Sequence, residues 1–406
     1  MKKLLTTLLL SILAGAPAWA QNECRSFFQN GSGLMVEPQD TGMALFEPDC
    51  YAWRLFVSLN WPSRQGQCGP DPAKALGADG ETVWEKWIPK QDVFLPGAQK
   101  PPSWESHCRT IVAVKALAPS AQLAAARAEI VDSAGPKIAF VPPRGDMSDT
   151  ADEEVRMNRH ALEFITSQRL YSLDEQVRLA AAGVKTIEFP LPAKEIKAHW
   201  IKLEDPADHA RYHTGVDSDG TVFGLVAWHV TTKDLPRWFW ATFEHIDNES
   251  RWPEQFPRGF AGWSERPIDR FACEGKAPNC AAIPAGIGLE GTKWENYRLK
   301  ATQIDWVDSF GEPTIAVNSK IEGGFIQSQS SCISCHALAM IGEKPITVPF
   351  RIINPDIPPD SQGRSANFIG VVGAGERRPR RNDVDSNWNF LQLDFVWSLR
   401  EARREN

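Results

Sequence analysis

The pentad Cys332–Ile333–Ser334–Cys335–His336 constrains this chain more than any other stretch. Two thiols three positions apart reach the two vinyl groups along one edge of a porphyrin and close thioether bonds there. The histidine that follows then lies beneath the ring, with an imidazole nitrogen placed for iron. The spacing is therefore the attachment signature of c-type haem. With 8 Cys and 8 His in 406 residues, random order yields about 0.003 such pentads per chain. Two other chemistries share a C-x-x-C pair. Zinc needs two further Cys or His ligands, and neither residue occurs after His336. A redox dithiol is expected beside a βαβ pattern, whereas Pro-rich, irregular sequence follows here.

The start of the chain agrees with export. Lys2 and Lys3 precede the short apolar run Leu4–Leu13, and Ala18–Trp19–Ala20 forms an A-x-A cleavage site, so residues 1–20 read as a signal peptide. No segment is long enough for a membrane span. The expected location is a bacterial periplasm, where c-type haem is attached. Loss of the leader takes Lys2 and Lys3 from the 44 basic residues, leaving 42 against 51 acidic ones and a net charge of −9. That balance argues against nucleic acid and anionic membrane surfaces as partners. Six cysteines remain outside the pentad: Cys24, Cys50, Cys68, Cys108, Cys273 and Cys280. In an oxidising compartment they predict three disulfides, with Cys273–Cys280 closing a short loop and the other four stapling the N-terminal region. The 16 Trp against 4 Tyr point to a rigid indole-rich core that lines the haem pocket.

Along the chain, Tyr51, Leu55, Phe56 and Leu59 predict a helix over Glu47–Trp61. Asp152–Leu170 reads as one long helix, and Ser172 with Glu175 as the capping box of a second that ends at Gly183. Period-two alternation predicts strands at Lys185–Phe189, Glu195–Lys202, Arg211–Gly215, Thr221–Thr231 and Trp238–Ile246, with a hairpin turn at Ser218–Gly220. Tyr297–Val307 and Thr314–Asn318 read as another hairpin around Gly311. Ile321–Gly342 and Asn389–Arg403 read as helices, the latter from Leu391, Phe395 and Leu399. The expected fold class is α+β. A helical and antiparallel-sheet region spans 21–320 and is divisible near 184, and a small α-helical haem segment spans 321–406.

The second axial ligand is the main open question. Met340 is the sole Met after the pentad, and on a continuing helix it projects from the same side as His336. The sixth position is then filled from upstream, filled by an unusual group such as Lys344, or open to water or substrate. Upstream candidates are His107, His160, His199, His209, His213, His229, His245, Met147 and Met157. His245 is favoured as the distal ligand, because alternation puts it on one apolar face with Phe239, Ala241 and Phe243. The competing reading is a core histidine satisfied by Glu244 or Asp247. His229 comes next, and Met157 reads as packing. Arg377, Arg378, Arg380 and Arg381 form a basic cluster suited to haem propionates, to a partner, or to solvent alone. Gly373–Ala374–Gly375 lacks the third glycine of a dinucleotide fingerprint.

On these residues the 321–406 segment resembles the c-type cytochrome superfamily. More loosely, the mature chain is similar to a group of bacterial periplasmic proteins with one C-x-x-C-H near the C-terminus. The shared stretches are Glu154–Asn158, Glu195–Lys197 with Trp200, Thr242–His245 with Asp247–Asn248, and Ser331–His336. The resemblance implies one covalently bound haem c and a periplasmic location, and it supplies no reaction. Three functions follow as expectations. The first is one-electron transfer with a redox partner protein. The second is a haem enzyme or ligand binder of peroxidase or oxygenase type, with an open distal site, a small-molecule substrate and Glu244, His245 and Asp247 as acid–base groups. The third is non-catalytic binding with haem as a staple.

Overall fold

Residues 48–59 have what a helix needs: a proline in the first turn, where its missing N–H is no loss, and apolar side chains at three- and four-residue spacing. In the computed structural model they form α1 (Pro48–Leu59), closed where the Asn60 N–H donates to the Phe56 carbonyl at 3.0 Å. The structure describes residues 34–110, 151–248, 286–305, 318–321, 332–342 and 390–406, apart from 65, 217–219 and 338. Cys24, Phe28, Ile283, Pro284, Thr314 and Ala316 are described with them.

Alternating apolar residues build an antiparallel seven-stranded sheet. Its strands are β1 (Ile88–Pro89), β2 (Ala151–Met157), β3 (Lys194–Lys202), β4 (Thr214–Val216), β5 (Val222–Thr232), β6 (Phe239–His245) and β7 (Tyr297–Gln303). The order is β1-β2-β3-β5-β6-β7, with β4 paired to β5. Gly220, in the turn between β4 and β5, takes a φ of 87°, a conformation that suits a residue without Cβ. With helices alongside the sheet, the α+β class holds.

The two faces of the sheet are unlike. Ile196, Ala198, Trp228, Phe243 and Leu299 point to one side, where Trp53 and Phe56 of α1 pack on them. The Phe56 ring meets Trp228 and Trp294 edge-on at 5.5 Å and lies 4.5 Å from Phe243. A second core gathers α2 (Arg159–Ser167), α3 (Leu173–Ala181), Trp238, Trp240 and residues of 333–402. Among the described residues the pentad region thus shares a core with elements from the middle of the chain.

Several expectations are corrected. Asp152–Leu170 is not one helix: β2 occupies Ala151–Met157, paired along its length with β3. Asn158 then caps α2, its Oδ1 accepting from the N–H groups of Ala161 and Lys194, both at 3.1 Å. Asn389–Arg403 is not a helix either. It holds strand β9 (Phe390–Gln392), paired with β8 (Met340–Gly342), and a 3₁₀ turn at Trp397–Glu401. Asp394 and Phe395 between them have φ of 49° and 67°, which no right-handed helix accommodates. Lys185–Phe189 makes a single bridge, Thr186 to Gln392, rather than a strand. Half of the expected capping box is present: the Ser172 side chain accepts from the Glu175 N–H at 3.2 Å, while the Ser172 N–H donates to the Arg169 carbonyl and the Glu175 carboxylate meets Arg178.

The first four cysteines pair as Cys24–Cys50 and Cys68–Cys108 and staple the N-terminal region to itself. Cys273, Cys280, residues 1–20, where a leader is expected, and the turn expected around Gly311 lie outside the described residues. Among the described residues no helix is long and apolar enough to cross a membrane.

Phe56 is wholly buried among aromatic rings that a smaller side chain would leave unsupported. Replacing it with Ala should lower the free energy of unfolding by about 3–5 kcal/mol, read from urea titration with an unchanged slope.

Candidate functional site

The pentad forms one short helix, α4 (Cys332–His336), held by contacts from three directions. At its start, the Ile333 N–H donates to Oε1 of Gln303, the last residue of β7, at 3.0 Å, and the Ile333 side chain is fully buried. At its end, the Cys335 carbonyl accepts from the Trp397 indole at 3.1 Å. The Cys332 thiol points to the Ala316 carbonyl at 3.3 Å.

His336 Nδ1 lies 2.7 Å from the Phe395 carbonyl oxygen. A carbonyl accepts only, so Nδ1 carries the proton and Nε2 keeps the lone pair. The ring packs 4.5 Å from the indole of Trp240 on β6. Burial pushes its pKa down to about 4; the Phe395 carbonyl opposes this and the Lys197 ammonium adds to it. The imidazole is therefore neutral at neutral pH. Two thiols and one neutral imidazole nitrogen are the donor set that a covalently attached haem needs, so these residues fit the group. Among the described residues no three His, Cys, Asp or Glu side chains converge as a metal cage.

The Phe395 carbonyl is aimed by a strained backbone. Left-handed conformations at non-glycine residues cost about 1–3 kcal/mol each and persist where the surroundings enforce them. Here the enforcement is visible. Asp394 is buried, its Oδ1 accepts from Lys233 Nζ at 2.7 Å, and its Oδ2 accepts from the Phe189 N–H at 2.8 Å. Further along, the Ser398 hydroxyl donates to Glu195 Oε1 on β3 at 2.5 Å. Burial pushes the Glu195 carboxyl up to about 7, against the Ser398 hydrogen bond and the Lys90 charge.

The sheet face that meets α4 is polar. Glu153 on β2 pairs with Lys197 on β3 at 3.2 Å and lies 3.7 Å from His199 Nδ1. Burial raises the Glu153 pKa, but Lys197 and His199 together hold it well below the usual carboxylate range. His229 on β5 stands opposite Lys197 on one side and Thr242 on the other. Burial, with the charges of Lys197 and His336, keeps its pKa far below normal. Glu244 on β6 accepts from Lys300 Nζ at 2.7 Å and from the N–H and hydroxyl of Ser319. Asn318 donates to Thr242 Oγ1 at 2.9 Å.

The structure does not bring His245 to His336. His336 meets Trp240, and alternation along β6 turns His245 to the opposite face. There its ring stacks on Tyr212 at 3.7 Å. Nε2 donates to the Arg211 carbonyl at 3.1 Å, and Nδ1 accepts from the Asp247 N–H at 3.2 Å. Both nitrogens are occupied, as in a satisfied core histidine. Asp247 is paired with Arg211 at 2.6 Å. Of the other candidates, His229 stands on the face that His336 meets. His213 is buried against Glu85 at 3.0 Å, His107 lies 3.0 Å from the Lys86 carbonyl, and His160 is exposed on α2. His199 is buried beside Glu153, and His209 sits in the 3₁₀ turn Pro206–Arg211. Met157 is core packing, as expected. Met340 lies in β8 rather than on a continuing helix, because α4 ends at His336. Met147, Lys344, Gly373–Gly375 and the arginines at 377, 378, 380 and 381 lie outside the described residues.

Sequence reasoning missed Phe395, Asp394 with Lys233, Trp240 and Trp397. The first acts through a main-chain carbonyl, which carries no side-chain signature. Trp240 was within reach, since alternation places it opposite Phe239 and Ala241. The chain matches no family model, no curated protein and no solved structure.

The Glu195 carboxyl, at 4.5 ordinarily and about 7 when folded, binds a proton more tightly in the native chain. Its contribution to stability is fully present below the unfolded value and is lost as pH rises through the folded one. Glu195→Gln cannot ionise. Relative to wild type it should gain about 2–3 kcal/mol in unfolding free energy between pH 4 and pH 8, measured by urea titration.

Proposed function

We propose that this chain is a periplasmic c-type haem protein that carries one-electron transfer at Cys332, Cys335 and His336. The observation that carries the reading is the His336 ring: its Nδ1 is committed to the Phe395 carbonyl, on a short helix that also carries Cys332 and Cys335 at the C-x-x-C-H spacing. Cys332 and Cys335 would hold the porphyrin as thioethers, and His336 Nε2 would be the axial ligand. When bound, the haem supplies an iron that exchanges one electron. The chain's own residues hold and orient it. Gln303 and Trp397 fix the two ends of α4, the Phe395 carbonyl fixes the imidazole, and the second core carries them all. A redox partner protein would exchange the electron.

A second reading, a haem enzyme or ligand binder with an open distal position, is favoured by one observation. The sheet face that His336 meets carries His199 beside Glu153, as well as His229, among the apolar residues of the second core. On that reading His199 and His229 replace His245 as acid–base groups, and a small molecule is the substrate.

Protein exported by a host that attaches c-type haem should be coloured, with an intact mass equal to the polypeptide plus one haem. The double variant C332S/C335S should lose the covalent haem entirely, because serine forms no thioether. Colourless wild-type protein of bare polypeptide mass would defeat the proposal. A low-spin, CO-inert spectrum supports the carrier, whereas a high-spin spectrum that shifts with CO or cyanide supports the enzyme.

His245→Ala should leave the ferric and ferrous spectra unchanged, because its ring lies across the sheet from His336. Conversion from low to high spin in that variant would restore it as the distal ligand.

A further inference from the structure

We propose that Asp394 is the positioning residue for the axial imidazole: through its buried ion pair with Lys233, the sheet sets the orientation and basicity of His336. The inference deepens the haem reading and rests on it only where a potential is measured.

The connection runs from Lys233 through Asp394 to Phe395. Lys233 leaves the end of β5, its backbone N–H donating to the Ala193 carbonyl at 3.0 Å and its ammonium also reaching the Pro236 carbonyl at 3.1 Å. The ammonium then meets Asp394 Oδ1 at 2.7 Å, with both side chains almost fully buried. Asp394 and Phe395 hold consecutive left-handed backbones, φ 49° and 67°, in a chain where only three other described non-glycine residues do so. The second of them presents its carbonyl to His336 Nδ1 at 2.7 Å.

Neither residue is glycine, so the local sequence does not prefer this geometry. The Val396 N–H donates to the Leu393 carbonyl at 2.9 Å and closes a turn around the two residues, while Leu393 (N–H to the Ala339 carbonyl, 2.9 Å) and Ser398 (to Glu195) pin the strap on either side. The Asp394 carboxylate is what ties that turn to the sheet side of the site. It bridges the Lys233 ammonium and the Phe189 N–H, so the Asp394 side chain cannot turn without breaking both. Without it the turn loses this anchor, and the Phe395 carbonyl can swing away from the imidazole.

That swing has a chemical meaning. A carbonyl that accepts from Nδ1–H fixes the tautomer and pulls electron density toward Nε2, making it the stronger donor. A stronger axial donor favours ferric iron and lowers the potential. Loss of the hydrogen bond should raise the potential and let the ring rotate.

The test uses two forms of the full chain. In the haem-free C332S/C335S protein, the ring-nitrogen shifts of His336 report the tautomer directly. With Asp394 intact they should show Nδ1–H almost alone; D394N should bring a mixture of tautomers. In the haem-loaded protein, D394N should move the midpoint potential upward and broaden the low-field signals of the ferric EPR spectrum. Because D394N leaves Lys233 buried with no carboxylate, the isosteric double variant D394N/K233M, which carries no buried charge, is measured beside it. The double variant should show the same tautomer mixture and the same upward shift. D174N, which removes only the exposed carboxylate that Arg404 meets at 2.6 Å, should change neither readout. Folded D394N or D394N/K233M with a pure Nδ1–H imidazole overturns the proposal, whether or not haem is attached. Wild-type protein without haem defeats the haem reading instead and leaves the tautomer test to decide this one.

Discussion

A charged group inside a protein must be matched, and that requirement organises the inner face of this sheet. Glu244 meets Lys300 and Asp394 meets Lys233, both pairs almost wholly buried, and Glu153 meets the partly exposed Lys197. Such pairs seldom add stability over apolar packing, but removing one partner is costly, so they act as registers between elements. Glu244 also takes both polar hydrogens of Ser319, and Asn318 reaches Thr242. The polar face thereby fixes Asn318 and Ser319, while the aromatic face opposite supplies the hydrophobic driving force.

The division of labour between the two faces explains the tryptophans. Trp53, Trp84, Trp200, Trp228 and Trp294 all lie in the core against α1, away from the pentad. Trp240 and Trp397 are the indoles at the site, one beside the His336 ring and one capping the Cys335 carbonyl. Among the described residues these two indoles stand beside the pentad, whereas most of the others pack in the aromatic core. Large rigid rings with edge-to-face neighbours are an efficient filling for a thick core, since each brings much apolar area and few rotatable bonds.

Parts of this architecture were legible in the amino-acid sequence, and the pattern of success is physical. Strands β3, β5 and β6 announce themselves because one side of each is uniformly apolar, and α1 because its apolar face recurs at 3.6 residues. Asp152–Leu170 misled because Val155 and Met157 also fit a helical face. The deciding residue is Asn158, whose side chain serves both the α2 cap and the Lys194 N–H. Leu391, Phe395 and Leu399 fit a helix equally well, but the backbone partners of 392 and 393 are Lys185 and Ala339, distant residues that periodicity cannot reveal. The pentad was legible because covalent chemistry dictates its spacing. Its support was not, because a carbonyl oxygen belongs to every residue alike. His245 illustrates the same limit: alternation puts it on an apolar side, and only the fold shows that this side is the aromatic core, away from His336.

The hydrogen bond from His336 joins residues 59 positions apart. During synthesis the two thiols and the imidazole therefore emerge well before the oxygen that will orient them. Thioether formation asks only for the short pentad, and closing the intervening loop is a separate, later event with its own entropic barrier. On the proposed haem reading, maturation would then be ordered in time: Cys332 and Cys335 would be modified on an open, unclamped segment, and the strap would seal once the tail has docked. On that same reading a chain truncated before Phe395 would still be modified, but its iron would be held by an imidazole free to turn.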